Sequence, residues 1–105
     1  MKQIDPQKLA QNAEMASKLL KSMSHPSRLM VLCHLMAGEC PVSVLNQAVP
    51  LSQSALSQHL AALRKADLVS TRRESQVIYY RLKSQAVSEI LKVLYRIYCN
   101  PKNKE

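Results

Sequence analysis

The chain has 105 residues, 47% apolar and 21% charged, and its 15 Lys and Arg against 7 Asp and Glu leave a formal charge of +8. This is the composition of one globular domain, residues 1–105, with a modest core that helical dimerisation would enlarge; so basic a domain is expected to meet a polyanion. Composition argues against three classes: no run reaches the ~18–20 apolar residues of a membrane span, aromatics at 4%, all Tyr, do not suit a base-stacking RNA sheet, and three cysteines in a reducing compartment do not make a disulfide framework.

Residues 1–14 include Lys2, Asp5, Lys8 and Glu14 and lack the apolar run of a signal peptide, so a cytoplasmic protein with no membrane partner is expected. Leu9, Ala13, Ala16, Leu20 and Met23 recur at helical spacing and predict a first helix over Pro6 to Met23. Ser24-His25-Pro26 restarts the chain, with a polar cap ahead of a helix-opening proline. The second helix runs from Pro26 to about Ala37, with Leu29, Leu32, Cys33 and Met36 as its apolar stripe and Gly38 as its left-handed cap. Pro41 opens a short third helix through Val42, Leu45 and Val49, which Pro50 closes. Ser52 is a good N-cap for a fourth, Gln53 to Ala66. Two short helices joined by Pro50-Leu51-Ser52 form a helix-turn-helix.

After Asp67 the pattern changes. Leu68 to Arg73 and Val77 to Leu82 are rich in β-branched and aromatic residues and predict two strands, separated by Glu74-Ser75-Gln76. Ser84 caps a last helix to about Cys99, with Val87, Ile90, Leu91, Leu94 and Tyr98 on its apolar face; Asn100-Pro101 ends it and Lys102 to Glu105 is a polar tail. The expected fold is therefore mainly α with a small β-hairpin wing: a winged helix-turn-helix with its recognition helix at about 53–66, its wing at about 69–82 and its last helix at about 84–99.

On a helical wheel Leu56, Leu60 and Leu63 share one side of the fourth helix, and Ser54, Ser57, Gln58, Ala61 and Lys65 the other. Small, nearly uncharged side chains let a helix approach the floor of a major groove. Gln58 can bond adenine, and serines can bond a base or a phosphate. Free N–H groups at the helix start, near Ser52 and Gln53, suit a phosphate. His59 borders the apolar side, as a packed or phosphate-bonding residue. Arg64 and Lys65 follow on the helix; Arg72, Arg73, Ser75 and Gln76 surround the wing tip. These are the expected contacts to double-stranded DNA, those of the wing being to phosphates or the minor groove. An ordinary solvated helix and hairpin edge are the bland alternatives.

Ser24-His25-Pro26-Ser27-Arg28-Leu29-Met30-Val31-Leu32 resembles the second-helix motif of the ArsR/SmtB repressors, and Leu51 to Arg64 resembles their recognition helix. The resemblance covers roughly residues 9–99. It implies a homodimer built from the first and last helices, an operator that is an A·T-rich inverted repeat, and an inducer that releases the DNA.

The usual inducer of that family is a metal, and here the chain departs. Where the arsenic and cadmium members have Cys-x-Cys, this chain has Pro41 and Ser43, and Ser84 to Cys99 holds no His or Asp for a zinc site. His25, His34 and Cys40 make no known ligand spacing. No metal and no cofactor are therefore expected. Taken alone, Cys33 reads as a small core residue and Cys99 as a thiol disfavoured by a helix C-terminus, offset by Arg96 one turn earlier. Their placement, and the segment Leu94 to Cys99, resemble the dithiol subgroup of the family. That resemblance implies that Cys33 and Cys99 sense reactive sulfur species or oxidants by closing a disulfide or polysulfide bridge. Cys40 has no assigned partner. The rival functions are a metal-responsive repressor, a thiol-disulfide oxidoreductase, for which Cys-x-x-Cys and an activating base are lacking, and a helical interaction module that does not bind DNA.

Overall fold

The computed structural model describes residues 5–99; the expected helix stop at Asn100-Pro101 and the polar tail lie outside them. The element order is α1 (Pro6–Met23), α2 (Pro26–Leu35), β1 (Cys40–Pro41), α3 (Val42–Ala48), α4 (Gln53–Lys65), β2 (Val69–Glu74), β3 (Val77–Leu82) and α5 (Gln85–Tyr98).

The helix starts follow from local chemistry. Ser52 Oγ accepts the Ala55 N–H and Ser84 Oγ the Val87 N–H, each 3.2 Å away, so two otherwise orphaned donors are satisfied. His25 caps α2, its Nδ1 accepting the Ser27 N–H at 3.0 Å. The end of α4 is a Schellman turn: Leu68 N–H bonds Leu63 O and Asp67 N–H bonds Arg64 O, both at 3.0 Å, with Asp67 at φ 68 where glycine is usual. Gly38 closes the turn after α2 at φ +131, a region L side chains rarely adopt.

The core joins Val31, Leu32 and Leu35 of α2, Leu45 and Val49 around α3, Leu56, Leu60 and Leu63 of α4, Leu68 and Val69 entering the wing, and Val87 and Leu91 of α5. The wheel drawn for α4 is thus the buried one.

Two sequence expectations need correction. The sheet has three strands, not two, in the order β1-β3-β2 and antiparallel throughout. Cys40 pairs with Tyr80 and Pro41 with Tyr79, so the segment read only as the start of α3 also ties the end of α2 to the wing. Second, α2 ends at Leu35, and its buried line is Val31, Leu32 and Leu35 rather than Leu29, Leu32, Cys33 and Met36; α2 packs against α4 and β3, so the Cys33 flank is left at the surface. The apolar stripe of α1 is largely uncovered within the chain, whereas the face read on α5 has Val87 and Leu91 buried and Ile90 and Leu94 half-buried. On α1 only Met23 is buried, with Leu9 51% and Leu20 52% exposed, and on α5 Tyr98 is 80% exposed.

Candidate DNA interface and thiol cleft

Ser54, Ser57, Gln58, Ala61 and Lys65 are all exposed on α4, opposite the buried leucines. Gln53, Ser57, Ala61 and Arg64 also line a groove of about 590 Å³, whose other walls are Ser43, Asn46 and Gln47 of α3 and Ile78 and Tyr80 of β3. The α3 residues were missed in the sequence reading. Their polar i, i+3, i+4 spacing was the available signal. Asn46 Oδ1 is buried there without a hydrogen-bond partner, an acceptor left waiting for a donor.

The wing closes through Ser75 and Gln76, with Ser75 at φ 57 and the ladder ending at Glu74 opposite Val77. Cross-strand partners share a face. Thr71 and Arg73 lie with Tyr80 and Ile78, the two wing residues that line the α3/α4 groove. Arg72 lies with Tyr79 on the opposite face. The two arginines expected to act alike therefore point apart. Arg73, Ser75 and Gln76 are exposed. Arg72 is engaged within the chain: its Nε and Nη2 donate to the Glu39 carboxylate at 2.8–3.0 Å, and its guanidinium lies 4.4 Å from the Tyr79 ring centre. This bond holds the Glu39 carboxyl below the usual carboxylate range.

His59 is packed rather than free on the reading face. Its Nδ1 accepts Arg28 Nε at 3.1 Å, and its ring lies 4.4 Å from that of His25. Arg28 Nη1 donates to Ser22 O at 3.0 Å, so one guanidinium joins the end of α1 to the recognition helix. Burial, then the nearby His25 and Arg28, lower the pKa of His59.

Cys33 and Cys99 are brought together. Both line an apolar cleft of about 460 Å³ between α2 and α5, with Leu29, Leu91, Leu94, Tyr95 and Tyr98. Both thiols are free and exposed. The Cys33 thiol is pushed up by partial burial and, second, by the charge Cys99 would carry beside it. Cys40 sits elsewhere, on β1 against the core, its Sγ 3.6 Å from Pro41 O, and burial pushes its thiol up. Among the described residues no three or more His, Cys, Asp or Glu gather at metal-binding range, and no helix is long and apolar enough to cross a membrane.

Residues 25–71, from the α2 cap into the wing, match the model of the bacterial regulatory protein, arsR family. The chain is similar to the transcriptional activator HlyU of Vibrio cholerae, 45% identical over 93 residues that cover 89% of this chain and 86% of that protein. Its fold is similar to that of reduced HlyU from Vibrio cholerae, with a TM-score of 0.85 and 45% identity over 90% of this chain and 99% of that one. It is similar also to the crystal structure of the transcriptional repressor BigR from Xylella fastidiosa, with a TM-score of 0.83 and 37% identity over 92% of this chain and 99% of that one. These relatives regulate transcription and are not enzymes. A polar helix presented beside a wing, on a backbone shared with those regulators, identifies this chain as a winged helix-turn-helix, DNA-binding transcription regulator that belongs to the ArsR family.

Proposed function

We propose that this regulator acts in the cytoplasm as a homodimer on an inverted-repeat operator, and that oxidation or persulfidation of Cys33 and Cys99 releases the DNA. The observation that carries the switch is the shared cleft: one wall belongs to α2, which packs on the recognition helix α4, and the other to α5.

Dimerisation is supported by the uncovered apolar side chains on α1 (Leu9, Met15, Leu20) and α5 (Val93, Tyr95, Ile97, Tyr98). A two-fold pairing of these helices sets two recognition helices about 34 Å apart, one turn of DNA. Ser54, Ser57 and Gln58 then read base edges, while the α4 start at Ser52 and Gln53, together with Arg64, Lys65, Arg73, Ser75 and Gln76, holds phosphates or the minor groove. His59 holds α4 in place through Arg28 instead of touching DNA. An A·T-rich operator is the choice the family resemblance favours.

In the switch, a thiolate attacks the sulfane sulfur of a persulfide, breaking its S–S bond, releasing the carrier thiol and leaving a cysteine persulfide, or attacks a peroxide oxygen, breaking the O–O bond, releasing hydroxide or alkoxide and leaving a sulfenic acid. The second thiolate then attacks the cysteine sulfur and displaces sulfide or hydroxide to close the bridge. The pair loses two electrons, which reduce the oxidant. A simple disulfide requires Cα atoms ~4.4–6.8 Å apart, and added sulfurs relax this. Drawing α5 toward α2 shifts the winged domains relative to the dimer helices. Typical coupling of ~1–3 kcal/mol weakens DNA binding about 5- to 150-fold.

The test is binding to DNA from the protein's own upstream region at fixed salt, before and after a persulfide donor, with Cys33→Ser alongside. Loss of affinity in the wild type alone is the expected result, and mass spectrometry then counts the bridging sulfurs. Unchanged binding by the treated wild type would rule out the thiol switch and leave the DNA-binding assignment standing.

A further inference from the structure

Glu39 is one of seven acids in a chain of +8, and it is placed beside the wing of a protein that must approach a polyanion. Its carboxylate repels phosphate, so its position calls for a physical reason. Glu39 lies in the short loop between α2 and β1, six residues after Cys33, and it takes a forked grip from Arg72 in the middle of β2. The same guanidinium stacks on Tyr79 of β3 and reaches Glu74 Oε1 at 3.5 Å. One planar cation thus fastens the loop after α2 to both strands of the wing, on the face turned away from the α3/α4 groove.

We infer that Arg72 is a positioning residue and not a phosphate contact: with Glu39 and Tyr79 it clamps the wing at the angle that brings Arg73 and the tip to the DNA. A planar fork that both chelates a carboxylate and stacks on a ring fixes direction as well as distance, which an ammonium cannot do. The ladder from Cys40 and Pro41 to Tyr80 and Tyr79 holds β3, and on the same rung, where Pro41, Tyr79 and Arg72 lie in register, the clamp ties in β2. The inference rests on the proposed contact by Arg73.

Two variants separate clamp from contact, read by fluorescence anisotropy on the upstream duplex at several salt concentrations. Glu39→Gln removes a negative charge from a protein that approaches a polyanion, so electrostatics alone would tighten binding. Arg72→Lys keeps the positive charge and loses the fork. With the clamp at work, both weaken binding, by about 2- to 30-fold, Glu39→Gln together with Arg72→Lys is no worse than the weaker single variant, and the dependence of log K on log salt keeps its slope. Arg73→Gln, by contrast, makes that slope shallower by about 1.8 for the dimer, about 0.9 for each protomer's contact. Glu39→Gln binding as tightly as the wild type or tighter would overturn the inference, as would full activity of Arg72→Lys alongside a shallower slope in Arg72→Gln. An unchanged slope in Arg73→Gln would instead overturn the wing contact itself.

Discussion

Cys33 on α2 and Cys99 at the end of α5 face one apolar cleft, though they stand 66 positions apart in the chain, and the Cys33 thiol is raised partly by the charge Cys99 would bear. Cys99 is therefore part of the electrostatic environment of Cys33 before any bond forms.

That relationship has a measurable signature. With Cys40 replaced by Ser, the alkylation rate of Cys33 should titrate above the ~8.5 of an ordinary cysteine. Replacing Cys99 with Ser removes the competing charge and should lower that midpoint. It should still lie above the ordinary value, because burial is the larger cause. Peptide-resolved mass spectrometry of pulse-alkylated protein reads this directly; a midpoint unmoved by Cys99→Ser would show that the thiols do not interact.

His59 should make the fold sensitive to mild acid. Its pKa lies below the ~6.5 of a free histidine, so the unfolded chain binds the proton more readily than the folded one. Stability from this group is therefore fully present above about pH 6.5 and is lost as the pH falls toward the lowered folded value. The protonated ring would also lose the acceptor that Arg28 Nε uses. Urea midpoints between pH 5 and 8 should fall on the acid side more steeply in the wild type than in His59→Gln, and parallel curves would remove His59 as the cause.

Asp67 holds the left-handed position of the α4 Schellman turn and pairs with Lys83 Nζ at 2.7 Å. Asp67→Gly and Asp67→Ala both lose that exposed pair, so their difference isolates the backbone. A left-handed conformation costs an L residue roughly 1–2 kcal/mol. The glycine variant should therefore be the more stable, by about 1 kcal/mol in denaturant unfolding. Equal stabilities would mean that the turn relaxes when the side chain changes.

Leu20→Ser should separate folding from assembly. The side chain is 52% exposed, so helix content should persist. If α1 forms part of the dimer contact, the variant should dissociate at concentrations where the wild type is dimeric. Sedimentation equilibrium gives the answer: an unchanged association constant would move the interface away from this face of α1.

What the residues determined locally was legible in them. Ser52 and Ser84 announce their helices because a cap is a bond to an N–H three residues on. Leu56, Leu60 and Leu63 declare the buried side of α4 because helical geometry repeats every 3.6 residues. The alternation that sends Arg72 and Arg73 to opposite faces was also present in the sequence; which face lies toward the recognition helix was not, since that depends on strand register against distant residues. The two-residue strand Cys40–Pro41 left no periodic signal, because its pairing is defined by Tyr79 and Tyr80 about forty residues later. Packing also decided the surroundings of Cys33. Its place on an apolar stripe suggested the core, but α2 spends its buried flank on α4 and β3 and leaves the thiol in the cleft beside α5. Local hydrogen bonds and periodicity thus specify elements from nearby residues alone, whereas neighbours across the fold depend on which surfaces exclude the most water together, a property of the assembled chain.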